Sequence, residues 1–304
     1  MIIPRSPYPI GEFLSMAWRR FRPALPWGDH PVVARIILDA SIEAKSWVGF
    51  VGDICPLNKR RAKFSPDILN FFEPCSLMVG NFEGVTTEAG HRPFLHKHEP
   101  SIFDVLAAIK PLSKWVLSIA NNHALDYGES SLEETINQFE KRSINWLGTK
   151  ECPGVRIEHL DISFTAWTWW LNGKMRVVSA KDPGAPKWEG LHVAIPHWGY
   201  EHERSPRPSQ RKRIPPGYDL VIGHHSHLPQ PFEVCEKNLP VAWSLGNFIT
   251  GKRLPVLGEG AILKVAVGAS KSGIPAIREI HWQAILLDRD DKKFCHLKFR
   301  RQVS

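Results

Sequence analysis

Five short apolar runs in this chain each stop at a cluster of Asp, Glu, Asn or His side chains, and that repeated ending restricts the fold more than any other feature. SWVGFVGD ends at Asp53, and SLMVG runs into GNFEG, which presents Asn81 and Glu83. WVLSIA runs into NNHALDYG, with Asn121, Asn122, His123 and Asp126. LHVAIP runs into HWGYEHE, with His197 and Glu201, and YDLVIG runs into HHSH, with His224, His225 and His227. Short apolar runs bounded by glycine and polar residues read as buried strands. Donors gathered at successive strand ends point to an open α/β sheet, whose sites lie beyond the carboxyl ends of its strands.

The segments between these runs fill in the order. Helical patterns cover 66–73, 101–110 and 129–142, and further strands read at 144–147, 155–168, 241–245, 261–267 and 279–287. This order predicts a βαβ first half feeding a more antiparallel second half. With 304 residues, 43% of them apolar, the chain can bury the core of one large domain, expected over residues 46–304. Residues 1–45, rich in proline and basic side chains, read as an N-terminal extension.

A single histidine in such a turn is an ordinary loop residue. Three within four positions are different. On an extended chain His225 and His227 point the same way, with Gly223 expected to let the backbone turn beneath them. Carboxylate and amide oxygens together with imidazole nitrogens suit manganese, iron or zinc better than a thiolate site does.

Charge and cysteine content narrow the partners. A net charge of +8 and a pI near 9.3 favour anionic partners, and the excess is concentrated in RRFR (19–22) and RSPRPSQRKR (204–213). Neither run has the pattern of a nucleic-acid-binding motif, so no specific nucleic acid binding is expected. Phe13, Leu14, Met16, Ala17, Trp18 and Phe21 lie among Arg19, Arg20 and Arg22. This segment, residues 13–22, either lies on an anionic membrane surface or packs on the domain itself. The five cysteines form no CxxC pair, no run is long enough to span a membrane, and the N-terminus lacks a signal peptide's apolar centre. The expected location is cytoplasmic, at most peripheral to the inner membrane face.

The series GD, NFEG, NNHALDYG, HWGYE, GHHSHLPQ and SLGNF, in that order over about 46–250, resembles the CapA family of bacterial capsule synthesis proteins. That family is associated with poly-γ-glutamate capsules and related to calcineurin-like metallophosphoesterases. The resemblance implies a four-layer α/β/β/α sandwich with one or two divalent metal ions (Mn, Fe or Zn) at the strand ends. It implies Asp53, Glu83 (or, in its place, Asn81), Asn122, His197, His225 and His227 as metal ligands, with His224 only a neighbour. By the same resemblance His123 faces the substrate as a catalytic acid, Arg211 or Lys212 holds an anionic substrate, Asn247 donates into the site, and Asp126 and Glu201 orient ligands. Two departures stand out: Cys55 occupies a position where metallophosphoesterases usually place histidine, and the prolines of IPPGYD shorten the helix after Gln210 and Arg211. The implied function is metal-dependent hydrolysis of a phosphoester or a γ-glutamyl amide in surface-polymer metabolism. The alternative is an accessory protein that binds a polyanionic polymer without turnover.

Overall fold

Apolar faces of two β-sheets meet in the middle of the molecule and give it the form of an α/β sandwich. The computed structural model describes residues 8–21, 31–171, 182–186, 188–214, 216–252, 254, 257–270, 273–288 and 293–301. The chain enters through helix α1 (Ile10–Phe21) and then builds much of the first sheet. Its strands here are β1 (Val33–Ile37), β2 (Glu43–Ile54), β3 (Arg61–Phe64), β4 (Cys75–Phe82), β5 (Trp115–Ser118) and β6 (Asn145–Leu147). Helices α2 (Pro66–Phe72), α3 (Ile102–Ala107) and α4 (Glu129–Glu140) connect them. The second sheet follows with β7 (Gly154–Ile157), β8 (Ile162–Thr168), β9 (Leu191–His197), β10 (Leu220–Ile222), β11 (Phe232–Val234) and β12 (Pro240–Ala242). The short α5 (Pro208–Arg211) lies between β9 and β10. Strands β13 (Asn247–Ile249), β14 (Glu259–Ala269), β15 (Pro275–Asp288) and β16 (Phe294–Phe299) return to the first sheet.

The first sheet runs β3-β16-β15-β14-β2-β4-β5-β6, with β1 paired to β15 and β13 to β2. Its β2-β4-β5-β6 half is parallel, as the alternation of strand and helix predicts. The second sheet differs from the expectation: β8, β9, β10 and β12 are also parallel, and only the edge strands β7 and β11 run antiparallel. Parallel neighbours need long crossovers, and the connections β8–β9 and β9–β10 lack the apolar helical period that would have announced them. The antiparallel part instead lies in β14–β16 of the first sheet. The run 155–168 is a hairpin, broken where Asp161 takes a left-handed φ of 53° between β7 and β8. The first sheet also takes in residues that the sequence reading sets apart as an extension, since β1 pairs with β15 over Val33–Ile37 and β2 begins at Glu43.

Between the sheets, Val48 and Phe50 of β2 and Val265 of β14 face Phe164, Val193 and Leu220, with the Phe50 and Phe164 rings 6.4 Å apart. On the outer face of the first sheet, Phe82 of β4 meets Phe103 of α3 and Phe139 of α4. Proline in the first turn of α2 and Asp67 beside it suit a helix start. Over the second sheet the covering is thinner. Trp167, Trp198, Tyr218 and Trp243 form an aromatic layer, and the helix shortened by its prolines is the four-residue α5. No helix among the described residues is long and apolar enough to cross a membrane.

Candidate metal centre

The carboxyl ends of β2, β4 and β5 in one sheet and of β9 and β10 in the other converge on one buried volume. Asp53 closes β2, Glu83 follows β4, Asn122 follows β5, His197 closes β9, and His225 and His227 follow β10. All six side chains are buried, as is Asn247 at the start of β13. Within the second sheet the chain leaving β10 lies directly against the chain leaving β12 because Gly223 has no side chain: a Cβ there would lie 2.0 Å from the carbonyl oxygen of Trp243. Close approach, rather than the sharp turn expected of it, is what demands glycine here. His225 and His227 are not on an extended strand either. They take left-handed φ values of 92° and 57°, and this turn, not strand alternation, aims both rings inward. Non-glycine residues held at positive φ are costly and cluster at functional sites.

The donors fall into two groups. In the first, Asp53, Glu83 and His227 can each offer an atom so that all lie within 4.8 Å of one another. Asp53 Oδ2 is 3.4 Å from His227 Nδ1, and Glu83 Oε1 is 3.5 Å from His227 Nε2. In the second, His197 Nε2 lies 2.8 Å from Asn122 Oδ1 and 2.9 Å from His225 Nδ1. Asn81 stitches the groups together, its Nδ2 donating to Asp53 Oδ1 at 2.8 Å and lying 3.2 Å from His197 Nδ1. Asn81 therefore sits beside the carboxylates as a hydrogen-bond donor, and Glu83 supplies the charge. Asn247 Oδ1 lies 3.1 Å from His227 Nδ1, while its Nδ2 donates to the His227 carbonyl.

Burial and mutual charge shift the protonation of these groups strongly. Burial acts to raise Asp53, but His224 and His227 outweigh it and hold the carboxyl well below the usual range. Burial pushes Glu83 up to about 7, His227 opposing and the charge of Asp53 adding. Burial acts to lower His227, yet Glu83 and Asp53 raise it well above its ordinary value. Glu83 Oε1 and His227 Nε2 face each other at 3.5 Å. Burial keeps His96, His197 and His225 well below the ordinary value, hence neutral, the form that binds metals. Glu83 Oε1 is buried without a hydrogen-bond partner, although imidazole nitrogens of His96, His123 and His227 stand 3.5 to 3.9 Å away. An uncompensated carboxylate oxygen ringed by nitrogens is costly when buried. Donors sharing one ion at bonds of about 2.1 Å sit roughly 3 to 3.5 Å apart. The residues present therefore fit a divalent metal.

Three residues join the site beyond those the sequence pointed to. His96 forms a second donor set with Cys55 and Glu83 and stacks on His123 at 3.5 Å. His224 stands against the carboxylate, its Nδ1 3.2 Å from Asp53 Oδ1. Tyr8, from just before α1, places its hydroxyl 2.5 Å from His225 Nε2. HKH (96–98) was visible in the sequence but follows no strand, and Tyr8 carries no local signal at all. Cys55 lies 3.7 Å from Glu83 Oε2, and burial, with Glu83 adding, pushes its thiol up to about 12.

Arg211 does not join them. Its guanidinium grips Glu233 at 2.5 and 3.0 Å and lies over the Trp243 ring, on the outer side of the second sheet. The cation placed beside the donors is Lys252, with Nζ 2.7 Å from His96 Nε2. Lys252 and His96 line a cavity of about 490 Å³ together with Lys59, His91, Phe94 and Lys97. Glu201 is held near Tyr8, whose hydroxyl is 3.5 Å from Oε1.

The fold is an α/β sandwich whose strand ends carry a buried carboxylate–imidazole cluster that could hold a metal ion. Residues 48–171 and 172–252, more than half of the chain, match the family described as bacterial capsule synthesis protein PGA_cap, and the chain belongs to that family. It is 27% identical over 237 residues to the PGA biosynthesis protein CapA of Bacillus subtilis, covering 66% of this chain and 62% of the relative. It is 29% identical over 176 residues to the capsule biosynthesis protein CapA of Bacillus anthracis, covering 48% of this chain and 42% of the relative. A probable polyglutamine synthesis accessory protein of Mycobacterium tuberculosis is 23% identical over 198 residues, 53% of this chain and 51% of that protein. The chain thus spans less than two thirds of the length of these relatives.

Proposed function

We propose that this chain is a metal-dependent hydrolase of the metallophosphoesterase type, acting on an anionic substrate in capsule or surface-polymer metabolism. The observation that carries the reading is His123, partly accessible beside the buried donors, with Nδ1 held by Asp126 Oδ2 at 2.6 Å and Nε2 directed toward Glu83 Oε1 at 3.8 Å. Asp53, Glu83 and His227, with His96 and Cys55 alongside, would hold one ion, and Asn122, His197 and His225 a second. A bound Mn, Fe or Zn supplies Lewis acidity and makes water a nucleophile near neutral pH. The chain's own part is to present His123. Its Nδ1–H is fixed by the Asp126 carboxylate, which also steadies the imidazolium, so Nε2 is the nitrogen free to give a proton to a leaving oxygen.

A substrate's charge would be read by the cavity beside His96, where Lys59, Lys97 and Lys252 outnumber Glu99 and favour a phosphate or carboxylate. The names of the Bacillus relatives, capsule and PGA biosynthesis, turn this toward poly-γ-glutamate, with a phosphoester or a γ-glutamyl amide as the scissile bond. A second reading, an accessory protein that binds the polymer without turnover, draws on the mycobacterial relative's printed role and on Cys55 in place of a histidine. Metal analysis of the purified protein, with manganese-supplemented assays on phosphomonoesters, phosphodiesters and γ-glutamyl peptides, separates the two. Metal-dependent turnover of any of these supports the hydrolase. Metal-replete protein that hydrolyses none of them leaves the accessory reading standing.

A further inference from the structure

The N-terminal segment reaches the metal centre through a clamp on α1. Arg207 grips both carboxylate oxygens of Glu12 at 2.7 Å. Arg19 pairs with Glu203 at 3.2 Å, and its Nε donates to the Glu201 carbonyl at 3.1 Å. These contacts fix Tyr8, two residues before the helix, with its ring edge-on to Trp170 at 4.8 Å and only 7% of its surface exposed. The Tyr8 hydroxyl then meets His225 Nε2 at 2.5 Å. The opposite nitrogen, Nδ1, is the one turned to the donor group, 2.9 Å from His197 Nε2.

An imidazole that offers one nitrogen to a metal carries its proton on the other, and ligand histidines nearly always give that N–H to an acceptor. His225 is fully buried, and the group that stands at its Nε2 is the Tyr8 hydroxyl. We propose that Tyr8 is a positioning residue of the metal centre, its phenol oxygen accepting Nε2–H of His225 and so fixing Nδ1 as the nitrogen presented to the ion. The phenol hydrogen then points to the Glu201 carboxylate, 3.5 Å away. This role rests on the metal-centre reading above and adds to it a residue outside the family match, which begins at residue 48.

The test uses the full chain, stripped of metal and titrated with Co(II) against a competing chelator, in the parent and in Tyr8→Phe. Phenylalanine keeps the ring against Trp170 and removes only the oxygen. The expected result is that one of two cobalt equivalents binds about 10- to 100-fold more weakly, with a changed visible Co(II) spectrum. The other equivalent and the melting temperature of the metal-free protein should be unchanged. Tyr8→Phe protein that binds both equivalents like the parent overturns the proposal. So does weakening of both together with a lower metal-free melting temperature, which is the pattern of a merely structural role. Parent protein that takes up no cobalt overturns the metal-centre reading itself, and the role of Tyr8 with it.

Discussion

The Oδ2 atom of Asp126 accepts from two sides at once, lying 2.6 Å from Nδ1 of His123 and accepting the backbone N–H of His96 at 2.7 Å. One carboxylate oxygen thereby ties the residue assigned to proton transfer to the loop that carries an additional donor. The His96 and His123 rings stack at 3.5 Å as a result. The backbone N–H of His123 in turn donates to Asn121 Oδ1, so the chain after β5 is held at both ends of the ring.

His123 and His225 should therefore separate in their effects. His123→Ala is expected to keep bound metal while the hydrolytic rate falls by about 10² to 10⁴, because the ring acts on the leaving group. His225→Ala removes a donor and should lose metal and rate together. Metal content and kcat measured on the same preparations check this; loss of metal from His123→Ala at unchanged stability would contradict the division of roles.

The position usually given to histidine and here held by Cys55 leads to a second expectation. Burial pushes the Cys55 thiol up to about 12, so binding there must displace a proton, whereas burial keeps His96 neutral, the form that binds. His96→Ala should weaken manganese binding by about tenfold or more, roughly 1.4 kcal/mol. Cys55→Ser should change it little. Chelator competition on the two variants reads the difference, and the reverse order would make the thiolate the working donor.

Under the proposed function, Lys252 would meet the anionic end of the substrate. Losing a charge-assisted hydrogen bond costs about 1.5 to 3 kcal/mol, so Lys252→Gln should raise KM for an anionic substrate by roughly tenfold or more with kcat little changed. The parent's KM should rise with salt more steeply than the variant's. A fall in kcat at constant KM would place Lys252 in the chemistry instead.

How much of this was legible follows from what each residue depends on. Asp53, Glu83, Asn122, His197, His225 and His227 could be placed together because each ends a buried apolar run, and strand ends on one side of an α/β sheet meet. The parallel pairing of β8, β9, β10 and β12 was hidden, since crossovers without helical periodicity leave no mark. Arg211 looked free in a basic run, but its partner Glu233 is on β11, 22 residues away, and only the pairing of β11 with β12 sets it under the guanidinium. His96 and Tyr8 reach the site from a loop and from the N-terminal segment, by tertiary contacts that no local pattern encodes.

The orientation of α1 carries the last prediction. Glu12, Ser15 and Arg19 lie on one side and serve the clamp, Arg19 donating to Ser15 Oγ as well as pairing with Glu203. Ile10, Leu14 and Trp18, four apart and so on one helical face, are 82%, 62% and 56% exposed, with Phe13 beside them at 43%. Of the basic residues expected to flank this face, Arg19 is spent on the body of the protein, and Arg22 lies outside the described residues. A helix docked by its polar side and showing Trp and Leu outward is suited to the interface of an anionic membrane, where each nearby basic residue adds about 1 kcal/mol. Replacing Ile10 and Leu14 together by serine breaks the apolar stripe and leaves the clamp intact. The substituted protein should keep its melting temperature and lose flotation with vesicles containing anionic lipid. Flotation equal to the parent's would assign the membrane contact, if any, to another surface, and no flotation by the parent would remove the membrane from the account altogether.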